Sequence, residues 1–328
     1  MKAIRCNSFG PPSTLKFEEI SDPESPSENE VLIEIKACGV NFPDTLIIQG
    51  LYQVKPELPF IPGSDIAGVV LEKGENVNHL EVGDRIFGFT QTGGFAERIV
   101  IPATHCFKLP PNIDFPVAAS FMMAYGTSYH ALKDRAMVKE GESLVVLGAA
   151  GGVGLAAVEL GRLMGCNVIA AASSDQKLEI CKEYGAHETI NYSTEDLKTR
   201  IKELTDGKGA DVIYDPVGGK YTEAALRASA WEGRLLVVGF ASGKIPEILL
   251  NLPLLKSCDI RGVFWGNFAT KFPKQNFQNS KELLTMLATG RLKPRIHQIY
   301  PLKEASLALE EIISRNVKGK VVIEMGKG

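Results

Sequence analysis

Two patterns of hydrophobic and polar residues divide the chain. Up to about Phe121, short runs of alternating apolar and polar residues, clearest at 31–37, are separated by turns that contain glycine. An alternation with a period of two is typical of half-buried strands, so this region is predicted to be mostly β. Many short strands with glycine turns favour a barrel-like or partly open β domain.

From about Met123, runs of β-forming residues alternate with segments of helical spacing. The predicted strands are 143–147, 167–172, 188–190, 211–215, 234–238 and 259–264, and the helices between them are 153–164, 176–184, 195–205 and 220–228. This alternation predicts an α/β fold with a doubly wound, six-stranded parallel sheet. Such a sheet binds its ligands at the carboxyl ends of its strands.

The pattern changes again beyond about Gly266. Helices are predicted at 281–288 and 304–314, and a closing strand at 320–324. Because this segment has no place in a completed six-stranded sheet, we assign it to the first domain. The predicted domains are therefore 1–122 with 266–328, and 123–265, with the active-site cleft between them.

The stretch from Gly148 to Gly154 joins the first strand of the predicted sheet to the helix that follows. A helix start carries unpaired N–H groups and a partial positive charge, and only small residues let a pyrophosphate approach it. The G-x-G-x-x-G fingerprint is incomplete, because Ala149 stands in the first glycine position. A tight turn that serves packing alone is the alternative. The position after the first strand of the sheet favours dinucleotide binding.

The end of the second strand indicates which dinucleotide is bound. An NAD site usually has an acidic residue there for the ribose 2′-hydroxyl. This chain instead has Ser173 and Ser174, followed by Lys177, and Tyr192 lies just past the third strand. Hydroxyls and an ammonium group suit a 2′-phosphate, so the pattern favours NADP. In the alternative, a serine caps the next helix, the lysine is a surface charge, and Asp175 is a poorly placed ribose ligand.

Composition narrows the range of partners. The 36 basic and 39 acidic residues give a net charge of −3, and no basic block stands out, which disfavours nucleic acid and anionic membranes as partners. Neither a signal peptide nor a membrane span is predicted. The six cysteines form no C-x-x-C pair, which indicates reduced thiols and a cytoplasmic location.

Several motifs together resemble the zinc-independent quinone oxidoreductases of the medium-chain dehydrogenase/reductase superfamily. They are GVNFPD at 39–44, GLY at 50–52, PGSDIAGVV at 62–70, AAGGVG at 149–154, INY at 190–192 and YDPVGG at 214–219. The resemblance implies a GroES-like β domain made of both chain ends and a Rossmann domain in the middle. It also implies NADPH as the hydride donor, and a homodimer built through the last Rossmann strand near 259–264.

The zinc-dependent relatives have a metal-ligating Cys where Asn41 stands and a His where Ser64 stands. Zinc requires Cys, His or carboxylate ligands at tetrahedral spacing, which scattered cysteines and five histidines do not supply. We therefore expect no metal. Without a Lewis acid the oxidation of simple alcohols is disfavoured, whereas a quinone or an α,β-unsaturated carbonyl needs less activation.

The resemblance places the catalytic group at Asn41, whose amide is expected to donate to the developing oxyanion or to the nicotinamide ribose. Tyr52 is expected to donate to the same region, and Asp44 to position Tyr52 or a water. Taken without the resemblance, each residue favours a structural role: a turn for Asn41, a helix N-cap for Asp44 and a wall of the cleft for Tyr52.

Residues of both predicted domains are expected to contact the cofactor. The residues are Asn41, Met123, Thr127, Gly148, Ala150, Gly151, Gly152, Val153, Ser173, Ser174, Lys177, Tyr192, Phe240, Ala241, Phe264, Trp265 and Gly266. Tyr125 is expected beside the nicotinamide, and packing is an equal alternative for Trp265. The small-molecule acceptor is left open between a quinone and an enone, alkenal or enoyl thioester. An NADPH-binding structural or regulatory protein without turnover is the alternative of another class.

Overall fold

The chain folds into two units, described for residues 1–326 in a computed structural model. The first unit comprises Met1–Met123 and the segment from Pro294 onward, and the second comprises Ala124–Lys293. Both chain ends therefore belong to the first unit, as the sequence predicts. The second boundary differs, because it lies at Pro294 and not near Gly266.

The secondary structure follows the predicted patterns closely. The strands are β1 (Lys2–Arg5), β2 (Lys16–Glu19), β3 (Glu30–Val40), β4 (Asp65–Lys73), β5 (Arg85–Phe89), β6 (Arg98–Pro102), β7 (Cys106–Lys108), β8 (Ser143–Leu147), β9 (Asn167–Ala172), β10 (Glu188–Asn191), β11 (Ala210–Asp215), β12 (Ser229–Val237), β13 (Asp259–Gly262), β14 (Ile296–Pro301) and β15 (Lys320–Glu324). The α-helices are α1 (Phe42–Ile47), α2 (Phe115–Ala119), α3 (Thr127–Tyr129), α4 (Gly152–Leu163), α5 (Asp175–Glu183), α6 (Leu197–Leu204), α7 (Lys220–Arg227), α8 (Asn251–Lys256), α9 (Trp265–Lys271), α10 (Pro273–Ala288) and α11 (Ala305–Ser314).

A seven-stranded sheet forms the first unit, in the order β14-β15-β3-β4-β5-β7, with β6 paired to β3. The long strand β3 has Val31, Ile33 and Ile35 fully buried at alternate positions, which is the predicted period of two. Helix α11 contributes Ala308 and Leu309 to the same core. Because β3 pairs with both β4 and β15, residues from three distant parts of the sequence meet at its carboxyl end.

A six-stranded parallel sheet forms the second unit, in the order β10-β9-β8-β11-β12-β13. This is the Rossmann order, in which the first strand lies at the centre and the chain winds outward in both directions. Residues 144–147 of the central strand β8 are fully buried, because helices cover both faces of such a sheet. The α/β prediction is confirmed. The loops after β8 to β13 lie at one edge of this sheet, here called the carboxyl edge.

The segment 266–293 belongs to the second unit, which corrects its assignment to the first domain. Helix α10 packs against the helical segment at 127–136: Tyr129 Oη donates to Glu282 Oε2 at 2.5 Å, and Asn279 Nδ2 donates to Asp134 Oδ2 at 2.8 Å. In α9, Phe268 stacks on His130 with ring centroids 3.9 Å apart. These partners lie more than a hundred residues apart in sequence, so local periodicity does not reveal them.

Burial also affects the protonation of the cysteine thiols. All six cysteines are free and buried. Burial raises the pKa of Cys106 and that of Cys181 to about 12, so both thiols stay protonated and are poor nucleophiles at neutral pH. Within residues 1–326, no helix has the length and apolar character that crossing a membrane requires.

Candidate functional site

Asn41 lies where β3 ends and α1 begins. Its extended backbone, with φ −124° and ψ 155°, makes it the N-cap of the helix. The carboxylate of Asp44, in the first turn, accepts a hydrogen bond from the backbone N–H of Asn41 at 2.7 Å. This is one of the two contacts of a capping box, and it fixes the Asp44 side chain at the helix start.

A buried polar group surrounds this helix start, and we call it the Asn41 cluster: Asn41, Asp44, Ser64, Asp65 and Lys320. All five side chains are at least nine-tenths buried. The topology explains the assembly, because Gly39 in β3 pairs with Asp65 in β4, and Val40 pairs with Val321 in β15. Side chains that are far apart in sequence therefore meet at one end of the sheet.

Lys320 orients the amide of Asn41. Its ammonium group donates to Asn41 Oδ1 and to the Val40 carbonyl, the latter at 3.2 Å, and lies 3.8 Å from Asp65 Oδ2. Because an ammonium group only donates, it selects the amide oxygen as its partner. The amide nitrogen then donates to Asp65 Oδ2 at 3.2 Å and to the Gly39 carbonyl at 3.4 Å. Both amide hydrogens thus have acceptors, and the bond to Gly39 is the weaker one.

Burial shifts the pKa values of the charged side chains in the cluster. It raises the pKa of Asp44 to about 7 and the pKa of Asp65 to about 6, against the opposing effect of Lys320. It lowers the pKa of Lys320, against the opposing effect of the two carboxylates. Asp65 also accepts from the Met123 backbone N–H at 3.1 Å. Within the described chain, Asp44 Oδ1 and Ser64 Oγ are buried and have no hydrogen-bond partner.

Tyr52 follows α1 and packs against the apolar core of the first unit. Burial raises the pKa of its phenol, and the charge of Asp44 adds to this effect. The phenol is therefore protonated at neutral pH and can donate a hydrogen bond.

The loop from Gly148 to Gly154 begins the carboxyl edge of the second unit. Gly148 has φ +58°, and a Cβ on Gly154 would lie 2.3 Å from the Gly148 carbonyl oxygen, so the backbone itself requires both glycines. Gly151, with φ −76°, is the N-cap of α4, and a Cβ there would meet nothing closer than 3.4 Å. The fold therefore does not require glycine at Gly151, and the helix start is left accessible.

The ends of β9 and β10 bring together residues predicted to bind the 2′-phosphate. Lys177 Nζ donates to Ser173 Oγ at 3.2 Å, and the Tyr192 backbone N–H donates to the Ala172 carbonyl at 3.1 Å. Ser174 is the N-cap of α5 and makes no side-chain capping bond. The structure thus places Ser173, Lys177 and Tyr192 at one end of two neighbouring strands.

The remaining predicted residues have mixed environments. Phe240 and Ala241 follow β12 and are half-buried, whereas Phe264, after β13, is exposed. Trp265 is buried, and its indole N–H donates to Asn276 Oδ1 at 3.0 Å, so it has a packing role within the second unit. Tyr125 is buried and donates to Glu159 Oε2 at 2.7 Å.

Sequence reasoning missed several residues of these sites. Asp65 and Lys320 complete the Asn41 cluster, and Asp215 accepts from the backbone N–H groups of Val217 and Gly218 at 2.8 and 2.9 Å. Each is a charged residue next to a run of apolar strand residues, and this position could have identified it from the sequence. A buried charge is retained only when it has partners.

Positions 41 and 64 carry an amide and a hydroxyl in place of metal ligands. In the described part of the chain, no group of three or more His, Cys, Asp or Glu side chains could hold a metal ion.

A Rossmann sheet with a small-residue loop after its first strand, joined to a β unit built from both chain ends, defines a dinucleotide-dependent oxidoreductase of the medium-chain type. The family model described as Alcohol dehydrogenase GroES-like domain matches residues 27–111, and the one described as Zinc-binding dehydrogenase matches residues 152–285. The chain belongs to the zinc-independent quinone oxidoreductase family of the medium-chain dehydrogenase/reductase superfamily.

Individual relatives cover nearly the whole chain. The quinone oxidoreductase-like protein 2 homolog of Nematostella vectensis is 41% identical over 325 residues, which cover 98% of this chain and 88% of that protein. The structure of Escherichia coli quinone oxidoreductase complexed with NADPH has a TM-score of 0.92 at 32% identity, covering 99% of this chain and 100% of that one. CurK enoyl reductase has a TM-score of 0.89 at 26% identity, covering 99% of both chains.

Proposed function

We propose that the protein is an NADPH-dependent oxidoreductase that transfers a hydride from NADPH to a quinone. The observation that carries the cofactor assignment is the arrangement of Ser173, Lys177 and Tyr192 at the ends of β9 and β10, next to the loop that starts at Gly148. The names of the relatives support a quinone as the acceptor.

The residues at the carboxyl edge fit a dinucleotide phosphate. Gly151 leaves the start of α4 open to a pyrophosphate, whose charge the helix N-terminus favours. Lys177 offers an ammonium group, and Ser173 a hydroxyl, to a 2′-phosphate. When bound, the reduced nicotinamide supplies the hydride.

We propose that Asn41, Asp44 and Tyr52 act on the acceptor. Lys320 and Asp65 hold the Asn41 amide. The hydrogen bond from this amide to the Gly39 carbonyl, at 3.4 Å, is the weaker of its two, so this N–H can donate to a ligand oxygen instead at the least cost. Tyr52 donates a hydrogen bond from its neutral phenol O–H to the anionic oxygen left on the quinone after hydride transfer. Asp44 holds the backbone of Asn41 and influences the pKa of Tyr52.

A screen of NADPH oxidation tests the proposal. The purified protein is assayed spectrophotometrically with 1,4-benzoquinone, 1,2-naphthoquinone, an alkenal and crotonyl thioester, and we expect turnover with the quinones. Nonenzymatic reduction of each acceptor is subtracted. Turnover confined to the thioester or the alkenal would instead make the protein an enone or enoyl reductase, which the likeness to CurK enoyl reductase favours as the second candidate. Tight NADPH binding without any turnover would indicate a structural or regulatory role.

We also propose that the protein forms a homodimer through β13. This strand is the edge of the six-stranded sheet, and Ile260 within it is exposed. A nearby stretch of sequence adds exposed apolar side chains: Ile245, Leu249, Leu250, Leu254 and Leu255. An apolar surface of this kind on one chain is typical of a subunit interface.

Sedimentation velocity tests the dimer. We expect two-chain particles for the native protein and single chains for Leu250→Asp/Leu254→Asp, because both side chains are at least 76% exposed in the single chain. Val82→Asp is the matched control, since Val82 is an exposed apolar residue of the first unit. A native protein that sediments as a single chain would refute the proposal.

A further inference from the structure

We infer that Asn191 is a specificity-determining residue, which favours NADPH over NADH by holding the Asp175 carboxylate on the side of β9 opposite to the Gly148 loop. The inference rests on the proposed use of NADPH and adds a residue outside the group of Ser173, Lys177 and Tyr192.

The end of β9 carries an acidic residue as well as basic and hydroxyl groups. Asp175 is the first residue of α5, two positions after Ser173, and its side chain is exposed. A carboxylate at the end of the second strand of a dinucleotide fold accepts from the ribose 2′-hydroxyl and thus selects NAD, and Asp175 lies only three residues past Ala172, the last residue of β9. The same carboxylate repels a 2′-phosphate. A protein that binds NADPH here must therefore keep the Asp175 carboxylate away from the ribose.

Asn191 supplies the contact that does so. Its Nδ2 donates to Asp175 Oδ1 at 2.8 Å, and its Oδ1 accepts from the Ser193 backbone N–H at 3.2 Å. The Asn191 backbone N–H also donates to Glu195 Oε1 at 2.7 Å. Asn191 is buried, so its amide is held in one orientation and presents an N–H to Asp175.

The strand order gives this contact a direction. Strand β9 lies between β8 and β10. The Gly148 loop follows β8, whereas Asn191 is the last residue of β10 and pairs with Ala172 of β9. A carboxylate bonded to Asn191 is therefore drawn to the β10 side of β9. The β8 side, where the helix start receives a pyrophosphate, is then free of this carboxylate.

Removal of the Asn191 side chain releases the Asp175 carboxylate. We expect Asn191→Ala to weaken NADPH binding by about threefold to fivefold, which is the size of an exposed charge interaction, and to leave NADH binding equal or tighter. Asp175→Asn keeps the shape of the side chain and removes its charge, so NADPH affinity is expected to stay equal or rise. In Asn191→Ala/Asp175→Asn the loss of NADPH affinity should disappear, because no charge is left to release.

The double-mutant cycle separates this effect from damage to the loop that carries Tyr192. Dissociation constants are measured by calorimetry with NADPH and NADH, and with 2′,5′-ADP and 5′-AMP as probes that lack the nicotinamide. Loop damage would weaken NADPH binding equally with and without the Asp175 charge, which would overturn the inference. Higher salt should reduce the effect of Asn191→Ala, since the repulsion is electrostatic.

The two proposals fail in different ways. If the native protein binds NADH as tightly as NADPH, and 5′-AMP as tightly as 2′,5′-ADP, the cofactor assignment of the proposed function is wrong. If the native protein prefers NADPH and Asn191→Ala keeps the same ratio of affinities, only the role of Asn191 is refuted.

Discussion

Replacement of Lys320 by methionine is expected to lower the free energy of unfolding by about 3–5 kcal/mol, the cost of removing one partner from a buried charge pair. The ammonium group lies 3.8 Å from Asp65 Oδ2 and also serves Asn41 Oδ1 and the Val40 carbonyl. Methionine fills a similar volume and supplies no charge or donor. The buried carboxylate of Asp65 is then left without its cation.

The stability lost in Lys320→Met should increase as the pH rises. With Lys320 present, the pKa of Asp65 is already raised to about 6, from an unfolded value of 3.8. Without the cation, the pKa of Asp65 in the folded variant rises further. Between pH 3.8 and this raised pKa, Asp65 binds a proton in the folded variant but not in the unfolded chain. The stability of the variant therefore falls as the pH rises through this window. We expect a smaller deficit at pH 5 than at pH 7.5.

Thermal and urea unfolding of the native and Lys320→Met proteins at both pH values measure the effect. Lys36→Met is the matched control, because the Lys36 ammonium pairs with Glu34 at 2.6 Å on the exposed face of the same sheet. Such a surface pair contributes about 0–1 kcal/mol. Addition of Asp65→Asn to Lys320→Met should recover part of the loss. A deficit no larger than that of the control, or one independent of pH, would contradict a buried charge pair.

Replacement of Gly154 by alanine is expected to reduce NADPH affinity by about tenfold to a hundredfold, the cost of losing one charge-assisted hydrogen bond to a phosphate. The added Cβ would lie 2.3 Å from the Gly148 carbonyl oxygen and 2.9 Å from the Ala149 Cα. Both neighbours are backbone atoms, so the whole loop must shift, at a cost of about 1–3 kcal/mol in stability. The shift moves the N–H groups at the start of α4 away from the pyrophosphate.

Gly151→Ala is the matched variant, because it adds the same methyl group three residues earlier in the loop. Its nearest neighbour would be 3.4 Å away, and the backbone conformation suits any residue. We expect a stability cost of no more than about 1 kcal/mol together with weaker NADPH binding, since the methyl group covers the helix start. Calorimetric titration and melting curves check both variants. If both bind NADPH like the native protein, the loop serves packing alone.

The local sequence was sufficient to predict the bounds of two strands of the second unit and of the last strand of the first unit. The predicted strands 143–147 and 167–172 agree with β8 and β9, and the predicted strand 320–324 agrees with β15. These segments have strong patterns of apolar residues, and the pattern reflects burial directly. The pattern also placed Lys320 at the start of a strand, without any indication of its partners.

The parts that the sequence did not reveal depend on contacts between distant residues. Helix α10 begins at Pro273, although its helical pattern is clear only from 281, and it belongs to the second unit because of contacts such as the one between Glu282 and Tyr129. The role of Asn191 depends likewise on a hydrogen bond to Asp175, 16 residues away. Periodicity describes which side of an element is buried and does not identify what covers it.

The sequence alone determined the α/β class, the order of the six strands and of helices α4 to α7 in the second unit, and the small-residue loop from Gly148 to Gly154, because these follow from local periodicity and backbone requirements. Only the tertiary structure decided that Lys320 faces Asn41 and Asp65. The physical reason is that β3 pairs with β4 on one side and β15 on the other, and that pairing brings together charges whose burial requires one another.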